Sequence, residues 1–332
     1  MKTAVIMPTM RKADSLENFI EIADDNVDFI LLSKEKILGN FRNTTQINDQ
    51  EIFSISPIFN RITKRNYGFL YAYKQNYDVI ITLDDDCYPI NNSYFDEHIK
   101  RLQSYDTDYF NVLELYNNIP ENIFVKGTRG YPTEPNDKKY PVVLNQGLWL
   151  GELDLPAKTI MENNGMDGKL PQNISSKFEV TKNLVLPESK FLTVCEMNLA
   201  FRGEVAPIAP IAYQDPDGVG INRYDDIWAG VFMKKIFDKL GKRMSVGSPL
   251  IQHNKAPRNI VTDVELEAKG DKLNSFIWQN LPSLSLEGKD YISCFLEIAD
   301  WLKKESQNEE RKFLEKVSNM MVNWIKLLDS RI

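Results

Sequence analysis

The chain has 332 residues, long for one domain and short for three, with a net charge of −7 that argues against non-specific binding to nucleic acid or to an anionic membrane surface. Three widely spaced cysteines, Cys87, Cys195 and Cys294, make neither a metal-binding spacing nor a disulfide framework, which fits a reducing compartment. No signal-peptide core and no apolar run near the roughly 20 residues of a membrane span occurs, so a cytoplasmic location without a transmembrane segment is expected.

In chain order, "TAVIMPT" (Thr3 to Thr9) predicts a buried strand, and Asp14 or Ser15 caps a helix through about Asp24. "VDFILLS" (Val27 to Ser33) predicts a second strand. Residues 34 to 57 look irregular, with a short strand at "EIFSIS". Apolar positions at Ile62, Phe69, Leu70 and Tyr73 predict a helix across Asn60 to Asn76, and "DVIITL" a third buried strand. Strands alternating with helices indicate an α/β fold with crossover connections. Residues 94 to 105 look helical and "DYFNVLEL" extended. Residues 117 to 145 are rich in glycine and proline and predict loops. "LNQGLWLGEL" reads as a turn between extended pieces, and residues 157 to 190 as a polar excursion. "FLTVCEMNLAFRGEV" predicts a strand running into a helix start. "RYDDIWAGVFMKKIFDKLG" predicts a helix with acids in its first turn and lysines in its last, and "RMSVGSPLIQHNKA" a last strand. The pattern then turns helical, which divides the chain into a catalytic domain at 1–258 and a helical appendage at 259–332. The stripe Phe313, Val317, Met320, Trp324 and Leu327 packs either on the body of the same chain or against a second copy in a homo-oligomer.

The chemistry concentrates at "VIITLDDDCYPI". Three adjacent carboxylates after a buried strand repel one another and cost desolvation free energy. Either Asp84, Asp85 and Asp86 are solvated at a turn, or a hard divalent cation, Mg²⁺ or Mn²⁺, sits there with oxygen ligands and substrate phosphates. His253, in "IQHNKAP" at a strand end, is a candidate third ligand beside Asp84 and Asp86, whereas His98 lies in a polar helix and reads as surface. Arg65 and Asn66, with Gly68, form a candidate nucleotide wall. Asp225 and Asp226, flanked by Tyr224 and Trp228, exceed what helix-dipole complementarity alone asks for. Cys87 is expected to pack beneath the metal loop.

The motifs "PTMR", "KRNYG", "LDDDC", "RGYP", "QGLWL", "CEMNLAF", "NRYDDIWAG" and "HNKA", in this order across about residues 3 to 258, resemble those of the reversibly glycosylated polypeptides, the UDP-arabinopyranose mutases first described in plants. The resemblance implies a glycosyltransferase-A-like mixed sheet flanked by helices. It implies a UDP-sugar partner held with Mn²⁺ or Mg²⁺ through Asp84 to Asp86, the nucleotide contacts being drawn from Pro8, Thr9, Arg11, Arg65, Asn66, Asp84 and Asp85. It places the reversibly glycosylated arginine at Arg129. Because a guanidinium is a poor nucleophile, a carboxylate must take its proton as it attacks the anomeric carbon, and Asp225 and Asp226 are the candidates. The chain departs from the plant pattern at Glu35, the only acid near the expected uracil pocket. It departs again at Asn136, near a second arginine of that family, and at Gln146, which stands for the histidine before G-L-W-L. Two other functions share the donor site: a glycosyltransferase passing the sugar to a glycan acceptor, with Asp225 or Asp226 as general base, and a non-catalytic nucleotide-sugar-binding subunit.

Overall fold

A computed structural model describes residues 1–9, 14–34, 41–60, 63–108, 138–172, 183–209, 221 and 223–330. Strand β1 (Thr3–Thr9) leads to α1 (Asp14–Ile22), β2 (Val27–Ser33), β3 (Thr44–Asn48), α2 (Asp49–Ile55), α3 (Lys64–Lys74) and β4 (Val79–Leu83). Next come β5 (Cys87–Pro89), α4 (Tyr94–Leu102), β6 (Tyr105–Thr107), β7 (Lys139–Gly151), α5 (Ala157–Glu162), β8 (Leu184–Val185) and β9 (Asn198–Arg202). A 3₁₀ turn (Gly203–Ile208), α6 (Asp225–Lys239) and β10 (Arg243–His253) complete the sheet region. Three helices follow, α7 (Ile260–Asn280), α8 (Tyr291–Glu305) and α9 (Phe313–Asp329).

The strands form one ten-stranded mixed sheet in the order β3-β2-β1-β4-β9-β7-β10-β5, with β6 on β7 and β8 on β10. Strands β3, β2, β1 and β4 pair in parallel, β9 runs antiparallel between β4 and β7, and β10 returns parallel to β7. The carboxyl ends of β1, β4, β7 and β10 therefore share one edge of the sheet with the amino end of β9, the edge where α/β sheets hold their ligands.

Period-two alternation sorts the strand residues between two cores. Ala4 and Ile6 face one cluster, Val5 and Met7 the other. The first cluster runs on through Trp228 and Phe237 to Ile277, Phe295 and Trp324, so the sheet and the C-terminal helices bury one another. On α9, Phe313, Val317 and Trp324 lie inside that core with Met320 and Leu327 packed against it, and Trp324 Nε1 donates to Pro207 O at 3.0 Å. The stripe is thus spent within the chain. Cys87 is fully buried in the second cluster, beneath the aspartates as expected.

Several local readings change. Glu51–Ser56 begins in a helix rather than a strand, because Asn48 and Glu51 form a reciprocal capping box that starts α2. "LNQGLWLGEL" is not a turn through residue 151, and 139–145 is not loop: both belong to the single long strand β7, which ends at Gly151. Gly147 marks a close approach there, since a Cβ would fall 2.4 Å from the Asn198 amide. Within 157–190, α5 and β8 are regular. His98 is not at the surface. It is fully buried between Asn145 and Asn198, and burial holds its pKa down at about 3. Most of "DYFNVLEL" lies outside the described residues, and no described helix is long and apolar enough to cross a membrane.

Candidate active site

A cleft of about 950 Å³ opens at the shared sheet edge. Each contributing element reaches it for a topological reason. Asp84 and Asp86 follow β4, Asp154 follows β7, and His253 and Lys255 stand at and beyond the end of β10. Glu196 precedes β9, whose reversed direction brings its start to the same edge, while Asp225 and Asp226 open α6.

Of the residues singled out from sequence, Arg65, Asp84, Asp86, Asp225, Asp226 and His253 line this one cleft. Pro8, Thr9, Asn66 and Asp85 are not part of its lining. Thr9 Oγ1 donates instead to Asp85 Oδ2 at 2.8 Å, and the buried Lys64 Nζ donates to Thr9 O at 3.1 Å, so these residues knit the end of β1 to β4 and α3. Asn66 is buried in α3. Arg11, Glu35, Arg129 and Asn136 lie outside the described residues.

Arg65 gathers the site from α3. Its Nη1 donates to Thr82 Oγ1 at 2.7 Å and to Glu196 O at 2.6 Å, its Nη2 to Asp84 Oδ1, and its Nε lies 3.5 Å from Glu196 Oε2. Burial alone would lower its pKa, but the carboxylates of Asp84 and Glu196 outweigh that and hold it above the ordinary value.

His253 Nδ1 donates to Glu152 O at 2.7 Å, which orients the ring, and its Nε2 lies 3.7 Å from Asp86 Oδ1. Among the described residues no group of three His, Cys, Asp or Glu side chains closes a metal cage, and Asp84 is engaged by Arg65. The Asp86–His253 pair nevertheless fits a hard divalent ion whose remaining positions are phosphate and water, the habitual state of Mg²⁺.

Further carboxylates crowd the cleft. Burial pushes Glu196 up to about 8, Arg65 opposing and Asp225 and Asp84 adding to the rise. Burial also raises Asp226 well above the carboxylate range, with Asp225, Glu196 and Asp154 pressing the same way. Glu196 is thereby placed to hold and release a proton near neutral pH. The basic side is Arg223, Lys255 and Arg258. Lys255 is buried 3.5 Å from Asp154, and Arg223, at φ 69°, pairs with Asp263 at 2.9 Å and Glu267 at 3.2 Å.

Glu196 and Lys255 were not singled out from sequence. Both sit inside quoted motifs, and the available signal was a charged residue abutting an apolar strand at the ligand-binding edge. The Trp149 Nε1 donor, in a cleft-lining side chain, is buried without a partner.

A family model described as reversibly glycosylated polypeptide matches residues 40–331. The chain is 30% identical to the probable UDP-arabinopyranose mutase 2 of Solanum tuberosum, over 98% of this chain and 89% of that protein. It is 29% identical to the probable UDP-arabinopyranose mutase 1 of Pisum sativum, over 98% and 90%. It is also 29% identical to UDP-arabinopyranose mutase 1 of Arabidopsis thaliana, over 98% and 91%.

Proposed function

The chain belongs to the reversibly glycosylated polypeptide family, and from that membership we propose that it is a UDP-sugar mutase, interconverting pyranose and furanose forms through transient glycosylation of Arg129. The observation that carries this reading is the convergence of Asp84, Asp86, Glu196, Asp225, Asp226 and His253 on one cleft at the carboxyl edge of the sheet. The names of the relatives, UDP-arabinopyranose mutases, support the reaction class. The role of Arg129 rests on its match to R-G-Y-P.

In the proposed step a guanidinium nitrogen of Arg129 bonds to the anomeric carbon as the bond from that carbon to the diphosphate oxygen breaks, and UDP departs with the electron pair. The guanidinium proton passes to Asp225 or Asp226. Burial and like charges raise the proton affinity of Asp226, which serves as acceptor when ionised and shares that role with Asp225. The sugar ring then opens and recloses on another hydroxyl; a diphosphate oxygen of UDP bonds to the anomeric carbon as its bond to the arginine nitrogen breaks, and the aspartate returns the proton to that nitrogen. Asp86 and His253 are the residues that would hold Mn²⁺ or Mg²⁺, with Asp84 beside them; bound there, the ion neutralises charge on the diphosphate.

Intact-protein mass spectrometry with Mn²⁺ and a panel of UDP-sugars tests the reading. A single sugar adduct on the Arg129 peptide, removed by added UDP, is expected. UDP binding with no adduct from any donor overturns the carrier mechanism in favour of transfer to a glycan acceptor.

A further inference from the structure

The cleft is not closed by the sheet and α6 alone. Glu267, Asp271, Asn274 and Trp278 of α7 all line it. Their separations of 4, 3 and 4 residues set them in one stripe along the helix. The stripe is polar until it ends in an indole, and it faces the cavity beside the buried stripe that includes Leu273 and Ile277.

The placement of α7 is tightly determined. A Cβ at Gly270 would fall 2.3 Å from the Tyr224 ring, so the glycine admits the residue preceding Asp225 and Asp226 against the helix. Tyr224 Oη lies 2.6 Å from Asp271 Oδ1 and 2.9 Å from Glu267 O, the two acceptors that compete for its one proton. Arg223 reaches Asp263 and Glu267, and Ala157 N donates to Glu267 Oε2 at 2.7 Å. The stripe is thereby fixed relative to the α6 carboxylates.

Asn274 Oδ1 accepts from Trp228 Nε1 at 3.1 Å, which orients the amide, and no described residue takes its Nδ2 donors. Trp278, one turn on, is half-buried and meets Phe191 edge to face, with centroids 6.4 Å apart and planes at 72°. The two rings meet at an angle rather than stacked. An oriented amide donor beside an indole plane is suited to a sugar ring, whose hydroxyls take hydrogen bonds and whose C–H face lies on an aromatic surface.

We propose that Asn274 and Trp278 form the sugar-binding wall of the cleft and determine which neutral sugar the nucleotide carries. This rests on the reading of the cleft as a UDP-sugar site, with the diphosphate toward Asp86 and His253 and the sugar between the α6 carboxylates and α7. It makes the C-terminal helices part of the site, and it commits α7 to the sugar rather than to the uridine or the phosphates.

Titration calorimetry with UDP and with UDP-arabinopyranose, UDP-xylose and UDP-galactose, each with Mn²⁺, separates the two parts of the ligand. Trp278→Ala and Asn274→Asp are expected to weaken the preferred UDP-sugar by roughly tenfold and to leave UDP within twofold. The aspartate keeps an acceptor for Trp228 Nε1 and loses the donors, and Trp278→Phe is expected to restore most of the sugar affinity. Unchanged UDP affinity in each variant reports an intact fold. Parallel loss of UDP and UDP-sugar, or unchanged UDP-sugar affinity, overturns the proposal while leaving the nucleotide-sugar reading standing. Failure of the wild-type protein to bind UDP sinks that reading, and this inference with it.

Discussion

Asp86 Oδ1 and His253 Nε2 stand 3.7 Å apart at the end of β10, while Asp84, two residues before Asp86, is gripped by Arg65. The three adjacent aspartates are tolerable because they diverge. Asp84 turns to α3, Asp85 accepts from the Thr9 hydroxyl at the end of β1, and Asp86 faces the histidine. Their like charges are met by different partners.

From that divergence, the three carboxylates should differ in their effect on metal binding. Asp86→Asn and His253→Ala are each expected to weaken Mn²⁺ at least tenfold in a titration with UDP present, about 1.4 kcal/mol. Asp85→Asn should change it little, since that carboxylate serves β1. Equal losses at Asp85 and Asp86 would show the cluster acting as one undifferentiated cation site. Chelation by EDTA should weaken UDP binding in the wild type and have little further effect in His253→Ala.

Arg65 holds four acceptors drawn from β4, the segment after it and the segment before β9. Replacing it by methionine strands two partly buried carboxylates, and the expected loss is about 3 kcal/mol in urea unfolding. Arg65→Lys keeps the charge but not the fork, and should recover only part of that. A methionine variant as stable as the wild type would show that the network contributes nothing net.

Gln146 fixes the segment carrying Glu196. It is buried, its Oε1 accepts from Cys195 N at 2.7 Å, and its Nε2 donates to Asn198 O at 2.9 Å. Gln146→Ala leaves a backbone donor and an acceptor unpaired and should cost about 3 kcal/mol. Because Glu196 would then lose its fixed place beside Arg65, UDP-sugar turnover is expected to fall more than UDP affinity. Equal falls in both would indicate general unfolding instead.

The sheet was largely legible in the sequence, because the runs Thr3–Thr9, Val27–Ser33 and Val79–Leu83 are long, apolar and β-rich, and such patterns survive tertiary packing. That Asp84, Asp86, Asp225, Asp226 and His253 stand at the ends of buried elements was legible too, and all five line the cleft, whereas Asp85 does not. What could not be read was partnership. Gly147 looked like a turn because a glycine needed for contact with a distant Asn198 carries the same letter as one needed for φ. His98 looked exposed because its helix is polar, and only the fold brings Asn145 and Asn198 around it. Glu196 gave a weak signal, since its chemistry comes from Arg65, 131 positions away in sequence.

Glu196 also leaves a mark on stability as a function of pH. Its carboxyl is pushed from the ordinary 4.5 up to about 8, chiefly by burial. The folded protein therefore holds a proton that the unfolded chain releases between those values, and stability must fall as pH rises through that window. The contribution is fully present below about 4.5 and lost above about 8, and Asp226, raised for the same reason, acts with the same sign. In urea unfolding at a series of pH values, the wild type should lose on the order of 5 kcal/mol across the window. Glu196→Gln cannot ionise and should flatten much of that slope, becoming the more stable of the two proteins at alkaline pH. Parallel profiles for the two proteins would mean that Glu196 is ionised throughout, stabilised by Arg65, and that the proton-holding wall of the cleft is Asp226 alone.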